Sequence, residues 1–328
     1  MKKLFVSILA VAALAACAKE EIVSMDKGEA IQFGNAFVNN STRAAATDPS
    51  YSTIENKGVA LESFNVYGAV NGVNIFSGNT VTKGDAGYGD AWTLTGAKQY
   101  WIAGANYKFV GVVDGNKTGV TTITPDAAGL PESISYTADG KTDLLCDVVV
   151  RNADTNGNTD TSIVAFNYTH LLSKVNFSVK NTTDAAATNY RFVLTSAKLT
   201  NVYQSGVYAV NADAWTPNTT MREYVLENLT INSASTQYHS QEVLLIPGSA
   251  VGVYVKANIE ATDDDPTSAD AEWKVVSDVE KTFTNVVTLA KATAYNFIVE
   301  LGVGEEIKFT ATTMDEWTDG DGNGTVLK

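Results

Sequence analysis

The sequence predicts an all-β protein made of β-sandwich domains. Turn-forming residues recur about every ten positions, and short runs rich in Val, Ile, Tyr, Phe and Thr lie between them, which is typical of strands. No long stretch has the period of an amphipathic helix, and strands do not alternate with helices as they do in a parallel sheet. Many short strands in this arrangement favour sandwiches.

The chain begins with a predicted lipoprotein signal peptide, residues 1–17. Lys2 and Lys3 form a positive n-region, an apolar h-region runs from Leu4 to Ala13, and small residues precede Cys17. The apolar run is shorter than the about 20 residues that cross a bilayer. A cysteine at this point resembles a bacterial lipobox, so we expect the Cys17 thiol to be lipidated. The alternative is a transmembrane anchor or an ordinary signal peptide with a chance cysteine.

One predicted strand and one predicted cleavage site follow the leader. Within residues 31–38, the side chains of Ile31, Phe33 and Phe37 fall on one face of a strand, because side chains alternate between the two faces. Arg43 then lies in a small, polar and turn-prone stretch, the kind of segment that proteases cut, and Ala44 would become the new N-terminus. The alternative is a surface arginine in a linker.

The remainder of the chain predicts two sandwiches. Short strand-like runs occupy residues 63–68, 107–112, 174–179 and 243–246, among others. A strand that ends near residue 168 and another that begins at 174 place a boundary between them. We therefore predict an N-terminal sandwich over residues 44–170 and a C-terminal sandwich over residues 171–328, in line with the usual size of domains.

Charge and cysteine content limit the possible partners. Removing residues 1–43 takes away five basic and four acidic residues, which leaves 18 basic and 33 acidic ones and a formal net charge of −15. Such a surface repels nucleic acid and anionic membranes, so we expect no nucleic-acid partner. Cys146 is the one other cysteine besides Cys17, so no internal disulfide is expected and Cys146 is predicted to be a small buried residue.

The sequence carries no recognisable catalytic or cofactor motif. His170 and His239 have no partners at zinc-binding spacing, and the motifs of serine hydrolases, metalloproteases and phosphate-binding loops are missing. We expect His170 to be a packed, hydrogen-bonded residue and the protein not to be an enzyme. Residues 154–160 and 319–324 match parts of a calcium loop, but neither completes it, so acidic turns are the preferred interpretation and no metal or cofactor is predicted.

The middle of the chain resembles the fimbrillin family, the type V pilins of Bacteroidales. These proteins often carry a strand with the sequence Asp-Leu-Leu, found here at 143–145, and then the pattern Phe-x-x-x-His-x-Leu-Ser-Lys-Val, which leads into their second domain. The matching residues of that pattern are Phe166, His170, Leu172, Ser173, Lys174 and Val175. Further similarities are the turn at 246–248 and a tryptophan close to the end, Trp317. The resemblance implies two tandem transthyretin-like Greek-key β-sandwich domains.

The same resemblance implies a mechanism of assembly. Such proteins are exported as lipid-anchored outer-membrane precursors, and a trypsin-like protease then cuts after an arginine and removes a propeptide strand, here residues 18–43. The C-terminal strand of a neighbouring subunit fills the vacated groove, and repetition builds a cell-surface fimbria that supports adhesion. The displaced residues would be Ile31, Phe33 and Phe37, and strand addition is a known mode of recognition.

The predicted donor strand lies near the C-terminus. Ile307, Phe309 and Ala311 share one face, with Thr313 next in phase, and both this segment and residues 31–38 begin with the pattern Ile-x-Phe. The partners would be copies of the same chain or other pilin subunits, with a host glycan or protein as a further ligand. The alternative is that residues 305–314 pair only within their own domain.

A second functional interpretation is a glycan-binding surface lipoprotein that keeps its lipid anchor. The aromatic side chains available for stacking on sugars would be Trp92, Tyr100, Trp101 and Tyr107, although aromatic residues in sandwiches are more often core packing. If Arg43 is not cut, an anchor or cap that retains its lipid becomes the better interpretation.

Overall fold

The computed structural model describes residues 29–34, 37–38, 63–83, 92–114, 119–152, 163–183, 189–226, 229–231, 237–314 and 325–326, and the regular elements among them are all β-strands. This confirms the predicted all-β class. In chain order the strands are β1 (Phe37–Val38), β2 (Ser63–Val70), β3 (Val73–Lys83), β4 (Trp92–Leu94), β5 (Asn106–Val113), β6 (Thr121–Pro125), β7 (Pro131–Thr137), β8 (Leu145–Asn152), β9 (Asn167–His170), β10 (Ser173–Asn181), β11 (Tyr190–Tyr203), β12 (Ser205–Ala209), β13 (Ala214–Pro217), β14 (Met221–Val225), β15 (Thr230–Ile231), β16 (Gln237–Leu245), β17 (Ala250–Ala261), β18 (Lys274–Thr288), β19 (Ala294–Leu301), β20 (Lys308–Met314) and β21 (Thr325–Val326). The described residues include no helix that could span a membrane.

The N-terminal half is built on a seven-stranded sheet with the order β1-β9-β8-β5-β2-β3-β4. Its neighbouring strands are antiparallel except for β1, which runs parallel to β9 at the edge. Both faces of this sheet are covered. Phe64, Val66 and Phe109 belong to a core that also contains Ile31 and Phe33, whereas residues of the opposite face belong to a second core.

The second core lies under a four-stranded sheet with the order β13-β12-β7-β6, which we call the shared sheet. β7 pairs antiparallel with β12 from Ser205 opposite Thr137 to Ala209 opposite Ser133. β6 and β7 come from before residue 170, and β12 and β13 come from after it. The shared sheet therefore crosses the predicted domain boundary, whose exact place stays a prediction.

The C-terminal half contains two further sheets that face each other. The β10 sheet has the order β16-β10-β19-β20-β21, and the β11 sheet has the order β14-β11-β17-β18, with β15 paired to β11. Val175, Phe177 and Val179 are fully buried on the inner face of β10, as the alternation of the sequence predicts. They join the same core that extends beneath the shared sheet, so one continuous hydrophobic core links the two halves.

Side-chain hydrogen bonds and an ion pair hold the β12–β13 hairpin and β14 in place. The Trp215 indole N–H donates to the backbone oxygen of Leu171 at 2.7 Å, and the Arg222 guanidinium donates to that of Ala138 at 2.7 Å. At the tip of the β12–β13 hairpin, Asp213 accepts from the Tyr208 hydroxyl and pairs with Lys291. The tip of the hairpin is thus fixed within the C-terminal half, and the bond from Arg222 in β14 to Ala138 joins the two halves.

His170 is the packed, hydrogen-bonded residue that the sequence predicts. Its side chain is 2% exposed, and Nδ1 lies 2.6 Å from Oδ2 of Asp143. The same carboxylate accepts from the backbone N–H of Leu144 at 2.8 Å through its other oxygen. A buried carboxylate with these partners positions the start of β8 beside the end of β9, where the chain passes from one half to the other.

Cys146 is buried, as predicted, and should be chemically inert. Burial raises the pKa of its thiol to about 12, so almost no reactive thiolate exists near neutral pH. We expect a thiol-directed probe at about pH 8 to leave Cys146 unmodified in the folded chain and to label it after denaturation. A Cys17→Ser variant makes the mass shift report on Cys146 alone, and equal labelling rates in the folded and denatured chain would contradict the structure.

Candidate functional site

The candidate site is the place where residues 29–34 and β1, together called the N-terminal segment, join the seven-stranded sheet. The Ile31 N–H donates to the backbone oxygen of Gln99 at 2.9 Å, and the Trp101 N–H donates to that of Glu29 at 3.0 Å. At the next residue, Gln32, the segment changes partner. The Val164 N–H donates to the Gln32 oxygen at 2.9 Å, and the Gly34 N–H donates to the Val164 oxygen at 3.1 Å.

The segment then continues as β1 along the outer edge of β9. Phe33 forms a parallel bridge with Val164, and β1 places Phe37 opposite Asn167 and Val38 opposite Tyr168. The register shifts by one residue between these contacts. Val38 therefore lies opposite the buried Tyr168, and Phe37 lies opposite the exposed Asn167.

Phe33 fills a groove lined with aromatic rings. Its ring centroid lies 5.5 Å from that of Phe76 and 5.7 Å from that of Phe109, both edge to face. It also stacks on Phe166 at 6.3 Å. Phe33 is 4% exposed and Ile31 is 5% exposed, whereas Gln32 between them points to solvent. We call this pocket, formed by Phe76, Phe109 and Phe166, the Phe33 groove.

The structure thus brings two of the three predicted displaced residues, Ile31 and Phe33, into one core and places Phe37 at the edge of the sheet. That the segment is removed during maturation stays a prediction. Cys17, Arg43 and Ala44 lie outside the described residues, as do the acidic segments 154–160 and 319–324. Within the described part of the chain, no group of three His, Cys, Asp or Glu side chains could hold a metal ion.

The predicted donor residues lie in the core of the C-terminal half. Ile307 and Ala311 are 8% and 7% exposed, and Phe309 and Thr313 are half-buried. The Phe309 ring packs against Phe283 at 5.4 Å and Phe297 at 5.3 Å. β20 pairs along its whole length with β19, so this single chain contains the intradomain arrangement, and the donor role stays a prediction.

β21 forms the outer edge of the same sheet. Thr325 lies opposite Thr313 and Val326 lies opposite Thr312, which gives only two paired positions. Far less pairing must therefore break to release β21 than to release β20, which has seven paired positions with β19.

The aromatic residues of the glycan interpretation mostly form the wall of the N-terminal core. Trp101 is 5% exposed and Tyr107 is 1% exposed, and their rings lie 4.7 Å apart. Trp92 and Tyr100 are half-buried, and the Trp92 ring packs on Phe64 at 5.3 Å. These side chains stabilise the sheet around the Phe33 groove and do not form an exposed platform for sugar rings.

Comparison with known families decides the class of the protein. Residues 42–317 match the family model described as fimbrillin-like. The chain belongs to the fimbrillin-like family. The family resemblance seen in the sequence is thereby confirmed. The chain is a fimbrial structural subunit that assembles with other subunits at the cell surface. It is not an enzyme.

Solved structures that are similar to this fimbrillin-like chain have low sequence identity to it, and the first of the two below shares its fold. A fimbrial protein from Bacteroides vulgatus ATCC 8482 has 14% identity and a TM-score of 0.62, with 89% of this chain and all of the other chain covered. The fimbrial anchor protein Mfa2 from Porphyromonas gingivalis has 12% identity and a TM-score of 0.41, with 92% and 98% covered. No curated protein sequence matches the chain.

Proposed function

We propose that the chain is a fimbrial subunit that assembles by donor-strand exchange after cleavage at Arg43. The observation that carries this proposal is the burial of Ile31 and Phe33 in a groove of the seven-stranded sheet. A short N-terminal segment completes the core and reaches the rest of the chain only through the stretch that contains Arg43. One cut there would leave the segment held by non-covalent contacts alone.

Loss of the segment would create a surface that favours refilling. The rings of Phe76, Phe109 and Phe166 would lose the side chain that covers them, and burial of a phenylalanine contributes roughly 1.5–3 kcal/mol. The backbone groups of Gln99 and Val164 would lose their hydrogen-bond partners at the same time. An apolar groove with unpaired backbone groups at a sheet edge is a template for strand addition.

The C-terminal segment of a neighbouring subunit is the proposed donor. Ile307, just before β20, and Phe309, Ala311 and Thr313 within it have the same phase as the displaced Ile31 and Phe33, and β21 follows at the edge of the sheet. Donation by β20 would open the core of the donating subunit, whereas release of β21 breaks only two paired positions. The experiment below separates these two alternatives.

The remaining steps of the proposal concern export and contacts. Cys17 is acylated and holds the precursor at the outer membrane, and a protease of trypsin-like specificity releases residues 18–43 at the Arg43–Ala44 bond. The mature chain joins a cell-surface fimbria with copies of itself or with other subunits. A host glycan or protein is the ligand for adhesion.

The experiment places a specific protease site directly after Arg43, so that folded chain is cut there and nowhere else. After cutting, we expect loss of the N-terminal fragment and a ladder of multimers on a denaturing gel run without boiling. A matched variant that ends at Met314 lacks β21 and keeps β20. If β21 begins the donor strand, this variant stays monomeric after cutting; if β20 suffices, it assembles.

Uncut protein is the control and should remain monomeric under all conditions. Cut protein that keeps its fragment bound, or that loses the fragment and stays a folded monomer, would contradict strand exchange. N-terminal sequencing of natural surface protein provides an independent check, because the proposal requires a start at Ala44 and is contradicted by an acylated Cys17 in the assembled fimbria.

A further inference from the structure

The residue directly after Phe33 has little free space around it. Gly34 is buried, and its φ angle is outside the left-handed region, so the backbone conformation does not require glycine. The limit is space. A Cβ atom at this position would lie 3.0 Å from Cγ2 of Ile163 and 3.2 Å from Cδ1 of Trp92, so these neighbours must shift by a few tenths of an ångström to admit alanine, and a larger side chain needs a larger shift.

The two walls of this narrow point are held by other parts of the structure. The Trp92 ring packs on the buried Phe64 at 5.3 Å, which restricts its movement away from the segment. Ile163 precedes Val164, whose N–H and C=O are both bonded to the N-terminal segment. A residue larger than alanine at position 34 must therefore displace the packed Trp92 ring or push against Ile163 and disturb the hydrogen bonds that Val164 makes with the segment.

We propose that Trp92 and Ile163 form a steric gate that selects the incoming strand, which must carry glycine or alanine directly after its aromatic side chain. The inference rests on the proposed strand exchange and adds the chemistry of the preferred partner. The groove beside the gate accepts an aromatic ring, because Phe33 lies among three rings there. The site therefore recognises a strand in which an aromatic residue is followed directly by glycine or alanine.

β20 of this same chain fits that pattern poorly. When Ile307 and Phe309 are aligned with Ile31 and Phe33, Thr310 takes the place of Gly34. The threonine Cβ alone would lie within 3.2 Å of both walls, and its β-branched side chain adds two further atoms. The preferred occupant is therefore the strand of a different subunit with a small residue at this point, and β20 of an identical copy, which can still build the multimers of the purified chain, is the weaker donor.

Competition by peptides tests the gate in the cut chain. The peptides are residues 29–38 in native form, the same peptide with Gly34→Ala or Gly34→Thr, and residues 305–314 in native form and with Thr310→Gly. We expect the Gly34→Thr peptide to bind about tenfold more weakly than the native one, and Thr310→Gly to bind about tenfold more tightly than native 305–314. The Gly34→Ala peptide should stay within about threefold of native.

An Ile163→Ala chain is the matched control, because this side chain is 46% exposed and its truncation widens the gate without opening the core. In that chain the penalty for Gly34→Thr should fall below about threefold. Equal binding of the glycine and threonine peptides to the native chain, or an unchanged penalty in the Ile163→Ala chain, would overturn the gate.

Failure of strand exchange gives a different result. If even the native 29–38 peptide does not bind the cut chain, strand exchange itself is wrong. The requirement for a small residue after the aromatic residue of the donor strand is then wrong as well. The steric gate can also be tested in the uncut chain, independently of strand exchange. There, Gly34→Thr should lower the melting temperature, and adding Ile163→Ala to the same chain should restore part of the loss. No loss in Gly34→Thr, or no restoration, contradicts the gate whatever the peptides do.

Discussion

Replacing Phe33 by alanine should lower the free energy of unfolding of the uncut chain by about 3–5 kcal/mol, the usual cost of removing a buried phenyl ring. The ring is almost fully buried and contacts Phe76, Phe109 and Phe166. Its removal leaves a cavity that three rigid rings of the sheet cannot close. Urea unfolding followed by tryptophan fluorescence measures the change.

Gln32→Ala is the matched control for this prediction. Gln32 lies next to Phe33 but its side chain is exposed, and its backbone oxygen can still accept from Val164 in the variant. The control should change stability by less than about 0.5 kcal/mol. If Phe33→Ala costs no more than this control, the N-terminal segment is not held by the groove and the basis of the exchange proposal is lost.

Ile134→Ala should destabilise both halves of the chain together, by about 2–5 kcal/mol. Ile134 is fully buried in β7 of the shared sheet, opposite Ile123 of β6 and Tyr208 of β12. It belongs to the core that extends from the seven-stranded sheet into the C-terminal half. Because one core serves both halves, we expect them to unfold together. A cavity at this point should therefore lower the free energy of that shared unfolding transition.

Native-state hydrogen exchange provides the readout for Ile134→Ala. Amides of β5 and of β17 that exchange by global opening should speed up by the same factor. Val207→Ala, on the neighbouring strand with a 39% exposed side chain, is the control and should change the rates little. Faster exchange in β5 with no change in β17 would show that the halves unfold independently.

The strands of this protein could be predicted from the sequence because their signal is local. The alternation of Val175, Phe177 and Val179 indicates one buried face of β10, and the pattern Ile31-x-Phe33 indicates two neighbouring buried side chains. The family resemblance could be recognised for a similar reason. It rests on residues between 143 and 175 that surround the passage from one half of the chain to the other.

The shared sheet could not be predicted, because its pairing joins β7 to a hairpin far along the chain. Ser205 lies opposite Thr137, and no local pattern specifies that contact. The burial of the opposite face of β10 could not be predicted from the sequence either. Lys174 is fully buried with its Nζ 3.1 Å from the Glu242 carboxylate, although alternation alone suggests a solvent-facing lysine.

Two details of the candidate site also depend on three-dimensional contacts. The one-residue register shift along β9 places Val38 rather than Phe37 opposite Tyr168, and a period of two along the sequence cannot reveal such a shift. The narrow passage at Gly34 arises because Trp92 and Ile163 converge on it from distant parts of the chain. A glycine after Phe33 was the only sequence signal of this feature.

The amide of Val164 gives the most direct test of the claim that the N-terminal segment is a replaceable part of the fold. In the uncut chain this N–H is bonded to the Gln32 oxygen at 2.9 Å and should exchange slowly. After the cut and removal of the fragment, we expect fast exchange in the monomer and slow exchange again once multimers form. A Val164 amide that stays protected in the isolated, fragment-free monomer would mean that the chain closes its own groove, and strand exchange would then be wrong.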